Sequence, residues 1–474
     1  MRILLIYPPN NPHVLAPSNF EPLALEILAA LVPDHDVLIL DMRYESYPSL
    51  KHTLDHFRPD ITGLSCNNTV QVSRSVEVMN FIRSHDQACV NIVGGHHVTL
   101  IPRDFYLPSV DFIFTGWAER SFPEFIDAVV RGDSTDTIQG IITLQNGRPV
   151  REMENLFDLQ AGEIPFPDRN VTQKYWNQYR NEIRYPTALV NTSRGCPFRC
   201  TFCSNWKATH GHYLTRPAED VFYEICGLPR KVSRIFFADD NSFMDTVNAE
   251  KLCDLIRMSG IRYKYSGYCR SDTIVRHPAL LKKWKEIGLE NLCVGFEGID
   301  EEGLKKVNKA TRESTNAGAI KVLHEVGVPF RSYFLIDPDF EPQQFNRILA
   351  YVKKHHLVNP MFTIMTPLPG TDYYNQVSDR IHRSFDYFDN MHAVVPTRMN
   401  PREFYLSTVK LFLTSYSFPR HLSMRLLKLM NWITGQKEKN RYLQLMPLMR
   451  LVLLRLYAIF LIRRLRSFAR KNED

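Results

Sequence analysis

The sequence predicts an α/β protein in three parts. These are an N-terminal doubly wound parallel sheet over residues 1–150, a partial (β/α)6 barrel over 185–385, and a helical C-terminal region over 386–474, with a linker at 151–184. Three observations carry this reading. Short apolar runs alternate with helical patterns through most of the chain, the signature of parallel strand–helix units. The predicted strands end in glycine or polar residues, where α/β folds place their ligand sites. Basic charge is concentrated at one end: residues 401–474 hold 15 Lys and Arg against 4 Asp and Glu, so the rest of a chain of net charge +7 is slightly acidic.

At 474 residues, with 44% hydrophobic and 23% charged content, the chain has ordinary globular composition and length for two or three domains. Its nine cysteines, an odd number with one clustered trio, suit a reducing compartment. The opening Met1-Arg2-Ile3-Leu4-Leu5-Ile6-Tyr7 is too short for a secretion signal and reads as a first strand. These features predict a cytoplasmic location.

In the first part, strands are predicted at 3–7, 37–40, 61–65, 90–93 and 112–115, with helices at 23–31, 72–84 and 122–131. Two strand ends stand out. The third leads into Ser65-Cys66-Asn67-Asn68-Thr69, the fourth into Gly94-Gly95-His96-His97-Val98-Thr99. Glycines there allow backbone to approach a bulky ligand. The run is not a G-x-G-x-x-G fingerprint, which argues against a dinucleotide. The stretch Ala161-Gly162-Glu163-Ile164-Pro165-Phe166-Pro167-Asp168-Arg169 has no clean period and reads as linker.

The second part opens on a short buried strand within Tyr185-Pro186-Thr187-Ala188-Leu189-Val190-Asn191-Thr192-Ser193, which feeds Arg194-Gly195-Cys196-Pro197-Phe198-Arg199-Cys200-Thr201-Phe202-Cys203. Three thiolates spaced C-x3-C-x2-C cannot complete a tetrahedral zinc site. On a four-iron cluster, which normally takes four cysteines, they leave one iron open to a small molecule. A zinc knuckle or unrelated buried thiols are the alternatives. No fourth Cys or His follows at zinc-like spacing, His210 and His212 being the nearest. Further strands are predicted at 235–238, 263–268, 292–296, 333–336 and 362–365, with helices at 279–287 and 315–326, making six units. Their ends carry Asp239-Asp240-Asn241, Cys269-Arg270, Glu297-Gly298, Asp337-Pro338 and Pro367-Leu368-Pro369-Gly370-Thr371. Tyr265, Tyr268 and Tyr333 read as packing residues.

The cysteine motif and these rim residues resemble the radical S-adenosylmethionine (SAM) superfamily, and the Gly-Gly-x-His-x-Thr-like run ahead of them resembles the cobalamin-binding domain of its cobalamin-dependent branch. The resemblance implies a 4Fe-4S cluster on Cys196, Cys200 and Cys203. It implies SAM contacts from Phe202 near the adenine, Asp239 and Asp240 at the amino group, Arg270 toward the carboxylate and Glu297 near the ribose. Cobalamin would be met by Ser65, Asn67, Asn68, Gly94, Gly95, His96 and Thr99, with the two glycines flanking its nucleotide tail. The D-x-H-x-x-G motif that gives cobalt a histidine in other cobalamin proteins is absent, and the bland reading of His96 and His97 is loop capping in a flavodoxin-like domain. Asp337 stands where relatives usually carry glycine.

The activity implied is methylation of an unreactive carbon, with one SAM feeding a methyl through cobalamin and a second cleaved at the cluster. An external electron donor, a flavodoxin or ferredoxin, is implied as well. Asn19-Phe20-Glu21-Pro22-Leu23-Ala24-Leu25-Glu26 resembles the hopanoid C-3 methylases of this superfamily, which makes a polycyclic or isoprenoid lipid the expected substrate. The alternatives are a non-methylating enzyme with both cofactors, as in tetrapyrrole ring closure or rearrangement, and a cobalamin-binding sensor with a vestigial barrel. In residues 448–470, Arg450, Arg455, Arg463 and Arg464 interrupt the apolar run. A spanning helix is therefore not expected. A basic amphipathic helix on a membrane surface and a helical cap on the barrel are both open readings. Nothing else along the chain suggests nucleic acid.

Overall fold

The computed structural model describes residues 1–14, 18–181 and 186–415. The basic segment 448–470 therefore lies outside the described residues. Among those described, no helix is long and apolar enough to cross a membrane.

The first sheet has seven strands: β1 (Arg2–Tyr7), β2 (Asp36–Asp41), β3 (Ile61–Ser65), β4 (Val90–Gly94), β5 (Phe112–Phe114), β6 (Ile141–Gln145) and β7 (Arg148–Glu152). Their order is β2-β1-β3-β4-β5-β6-β7, the first five parallel and the last two antiparallel. Side chains of β1 alternate between two cores. Leu4 and Ile6 face one with Leu50, Leu54, Val78 and Ile82. Ile3 and Leu5 face the other with Leu25, Phe122, Phe125 and Ile126. Both faces are thus buried, which is why the strand reads as an unbroken apolar run. The strand order reverses between β1 and β3, opening a crevice at their carboxyl ends.

The hairpin β6–β7 is an addition the sequence reading did not assign. Its signal was present: Asn146-Gly147 at the turn, with φ of 50° and 74°, suits a two-residue hairpin turn. β7 is exposed along its length, so it lacks the apolar run that marks the other strands.

The second sheet contains β8 (Thr187–Val190), β11 (Arg234–Phe237), β12 (Lys264–Cys269), β13 (Leu289–Glu297), β14 (Phe330–Ile336) and β15 (Met361–Ile364), all parallel and in chain order. β8 and β15 form its two edges, so the barrel is partial, as expected. A short antiparallel pair, β9 (Ser193–Arg194) with β10 (Leu214–Thr215), brackets the cysteine loop. Tyr265, Phe237, Phe243 and Trp284 form the aromatic core between sheet and helices.

The segment between the sheets is a packed bridge. Tyr175, Trp176 and Tyr179 are fully buried and join the barrel core. Asn155 donates to the carbonyls of Thr115 and Trp117.

Candidate functional site

The cysteine loop leaves β9 through Gly195, whose φ is +77°. A Cβ there would collide with the His212 carbonyl oxygen. Neighbours then pin the loop. Trp206 Nε1 donates to Cys200 O (2.9 Å), Asn308 Nδ2 to Arg199 O (2.7 Å), and the Thr201 N–H to Val307 O (3.1 Å). Burial pushes all three thiols up in pKa, Cys203 to about 12, while Lys309 and Arg270 pull Cys200 back down. Loading a metal there must therefore displace protons. No three His, Cys, Asp or Glu side chains among the described residues converge on one ion. A cubane asks for something else, three thiolates each on its own iron, and a loop with three neighbouring thiols fits that.

Asp239 is buried and accepts from the Thr192 N–H (2.7 Å), the Thr192 hydroxyl (2.7 Å) and the Ser193 N–H (3.0 Å). It fixes the entry to the cysteine loop. Asp240 takes one amide, from Asn205, and lines the cavity at the crevice of the first sheet. Burial pushes both carboxyls up to about 6, Asp240 also feeling the charge of Asp239. A buried carboxylate with so little neutralisation suits an incoming ammonium.

Glu297 sits at φ 63°, beyond a register shift in β13. Such an irregularity re-aims a side chain; Glu297 pairs with Lys309 at 3.0 Å. Arg270 is already engaged. Its guanidinium lies 3.5 Å over the Phe198 ring, donates to Lys309 O (3.0 Å) and pairs with Asp272 (3.0 Å). The arginine thereby ties the loop to the 309–310 backbone. Phe202 packs with Val307, Met365 and Tyr373. Asp337 pairs with Lys306 (2.5 Å) and accepts from the Asp339 N–H (2.9 Å), which gives an aspartate a function at that turn.

At the crevice of the first sheet lies a cavity of about 600 Å³. Ser65, Asn67, Asn68, Gly94, Gly95, His96 and Thr99 all line it. So do Asn191, Arg194, Gly195, Ala238 and Asp240 from the barrel. A second cavity of about 720 Å³ shares Asn67, Asn68 and His96 with it and extends to Ser204, Asn205 and Tyr268 at the barrel mouth. Each alone is within the roughly 300–1,000 Å³ of a small-molecule site; joined, they suit a larger ligand. Gly95, at φ +117°, would put a Cβ 2.6 Å from Cys66 O, so only glycine keeps this wall. Tyr268 is thus at a cavity rather than in the core, unlike the stacked, buried Tyr265.

The two histidines differ. His97 is buried between Thr69 (3.1 Å) and Asp104 (2.9 Å), a capping role. His96 Nε2 lies 2.9 Å from Ser204 Oγ, beside Cys203. Burial pushes its pKa down to about 4, so the ring is neutral near pH 7. The sequence reading missed the residues that join the two parts: Glu119 on Arg194, and Arg169 between Glu21 and Glu224. Their partners lie 55 to 148 residues away, so no local signal marks them.

The sequence matches the radical SAM superfamily over residues 190–371 and the B12 binding domain over residues 15–126. It is similar to the hopanoid C-3 methylase of Methylococcus capsulatus, 28% identical over 418 residues, covering 86% of this chain and 79% of that one. It is also similar to the anaerobic magnesium-protoporphyrin IX monomethyl ester cyclase of Synechocystis sp., 23% identical over 427 residues, covering 86% and 84%. Among solved structures, OxsB with aqua-cobalamin and S-adenosylmethionine bound shares the fold at TM-score 0.71 and 14% identity, covering 99% of this chain and 79% of that one. The methyltransferase TsrM of Kitasatospora setae, with cobalamin and a [4Fe-4S] cluster bound, does so at 0.64 and 18%, covering 80% and 74%.

Proposed function

The chain belongs to the cobalamin-dependent radical SAM enzymes, and from that premise we propose that it methylates an unactivated carbon of a polycyclic or isoprenoid lipid of the hopanoid kind. The observation that carries the reading is the shared cavity: the first-domain candidates and the barrel residues Gly195 and Asp240 line one space. When bound, the cluster, SAM and cobalamin supply reductive sulfonium cleavage and a transferable methyl group, and the protein supplies position and shielding from water.

Cys196, Cys200 and Cys203 would hold three irons. Asp240 would receive the SAM ammonium, with Asp239 fixing the loop beneath it. Glu297, held by Lys309, would face the ribose, and Phe202 with Val307 and Met365 would give the adenine an apolar shelf. Arg270 acts by holding Phe198 and the 309–310 backbone. Ser65, Asn67, Asn68, His96 and Thr99 would donate to or accept from the corrinoid where Gly94 and Gly95 let it approach. An external electron donor of the flavodoxin or ferredoxin kind completes the system. Contact of the basic C-terminal region with the inner membrane surface would bring a lipid substrate near.

Similarity to the hopanoid C-3 methylase over most of both chains supports the lipid substrate. Similarity to the cyclase supports a second reading, non-methylating chemistry on a tetrapyrrole. The test is anaerobic turnover of the reconstituted protein with methyl-labelled SAM, a reductant and bacterial lipid extract. Label in an apolar lipid, with S-adenosylhomocysteine and 5′-deoxyadenosine both formed, is the expected result. Deoxyadenosine without label in lipid, while a tetrapyrrole is converted without S-adenosylhomocysteine, would replace it with the second reading.

A further inference from the structure

One short segment, Cys203-Ser204-Asn205, touches three parts of the site at once. The Ser204 hydroxyl lies 2.9 Å from His96 Nε2, on the wall of the first-domain cavity. The Asn205 backbone N–H faces the Cys203 sulfur and pulls its pKa down against burial. The Asn205 side-chain amide donates to Asp240. Ser204 stands at the N-cap of the turn Asn205–Ala208, yet its hydroxyl makes no capping bond there. A serine in that place ordinarily accepts from its own helix. Here the hydroxyl turns to the other domain. At the other end of the loop, Arg194 pairs with Glu119, another cavity residue, so the first domain grips the loop on both sides of the cysteines.

We infer that Ser204 and Asn205 are positioning residues through which filling of the first-domain cavity sets the placement of the Cys203 end of the cluster loop and of Asp240. The inference rests on the reading that this cavity takes the corrinoid. Hydrogen bonds to ligating sulfur tune an iron–sulfur cluster's potential. A ligand pressing on His96 moves Ser204, and with it the Ser204–Asn205 peptide whose N–H faces the Cys203 sulfur. The coupling is reciprocal, so the state of the cluster loop also changes cobalamin affinity.

The experiment uses the full chain with its cluster reconstituted. It compares wild type, Ser204→Ala, Ser204→Thr and His96→Leu. Electron paramagnetic resonance and redox titration of the cluster are recorded before and after adding hydroxocobalamin, and cobalamin affinity is measured with and without cluster. Wild type and Ser204→Thr are expected to show a cluster spectrum and midpoint potential that shift on cobalamin addition. Ser204→Ala is expected to keep its iron, bind cobalamin roughly 2- to 10-fold more weakly, and show a cluster that no longer responds. His96→Leu, read with cobalamin bound to saturation because His96 also lines the cavity, breaks the same bond without altering the cysteine loop, and decides the matter if Ser204→Ala loses iron. A cluster response in His96→Leu equal to wild type, or a wild-type cluster indifferent to bound cobalamin, would overturn the inference. Because the readout is spectroscopic, a coupled protein that methylates nothing counts against the proposed function alone, and a methylating protein without coupling counts against this inference alone.

Discussion

Glu21, in the first domain, accepts a hydrogen bond from the backbone N–H of Leu189, on the strand that feeds the cysteine loop, at 2.6 Å. Arg169 closes the arrangement. It donates to the Leu189 carbonyl (2.7 Å) and pairs with Glu21 (3.3 Å) and Glu224 (2.8 Å). All three charged side chains are buried. A guanidinium between two buried carboxylates is costly to remove, because Glu21 is then left buried without a cation while Glu224 keeps Arg216 at 2.6 Å. Arg169→Met is expected to lower stability by about 3–5 kcal/mol in denaturant unfolding. A loss under about 1 kcal/mol would show that the group behaves like a surface pair.

Glu26 is the neighbouring test. It is buried, the Thr172 hydroxyl donates to its Oε1, and Oε2 has no hydrogen-bond donor among the described residues. Burial and then the charge of Glu21 push its carboxyl well above 4.5. A raised folded pKa means stability that is complete below the unfolded value and is lost as pH rises toward the folded one. Glu26→Gln is expected to lose less stability than wild type between pH 5 and 8, followed by thermal unfolding. Parallel pH profiles would contradict the raised value.

Asp240 makes a pH prediction for ligand binding. Its carboxyl is pushed up to about 6, with Asp239 beside it, so the pair titrates together. An ammonium favours the ionised form, so SAM affinity is expected to rise as pH climbs through about 6 and level off above it. Asp240→Asn is expected to weaken SAM binding roughly 10- to 100-fold and to flatten that profile in equilibrium dialysis. Unchanged affinity would assign the ammonium elsewhere.

Gly95→Ala places a methyl group against Cys66 O at a φ of +117°. Strain of this kind costs about 1–3 kcal/mol, and relief of it must shift the cavity wall. The variant is expected to emerge from gel filtration without the cobalamin absorbance that wild type retains. Full retention would mean that the wall does not shape the corrinoid site.

Cys200→Ala is expected to lose cluster iron and all 5′-deoxyadenosine formation while still binding cobalamin, since Cys200 does not line the first-domain cavity. Retained function would revive the reading of the barrel as vestigial.

Much of the fold was legible because parallel strands buried on both faces leave unbroken apolar runs, as in Ile3-Leu4-Leu5-Ile6, and because their polar ends mark the rim. The hairpin β6–β7 was overlooked although Asn146-Gly147 announced it, since exposed Arg148–Glu152 lacks an apolar run. The residues that join the two domains were not legible. His96 and Ser204 are 108 positions apart and meet only once both sheets are folded. The same holds for Arg270, whose burial over Phe198 is a tertiary fact with no local signal.

The central claim is that one cavity brings both cofactors together, and the most direct test is magnetic. Protein loaded with cobalamin and cluster would be reduced to leave both cob(II)alamin and the cluster paramagnetic, then examined by electron paramagnetic resonance against samples holding either centre alone. Spin–spin broadening or faster relaxation of the cobalt signal in the doubly loaded protein is the predicted result. A doubly loaded spectrum equal to the sum of the two single ones would place the centres too far apart for a shared cavity and contradict the account.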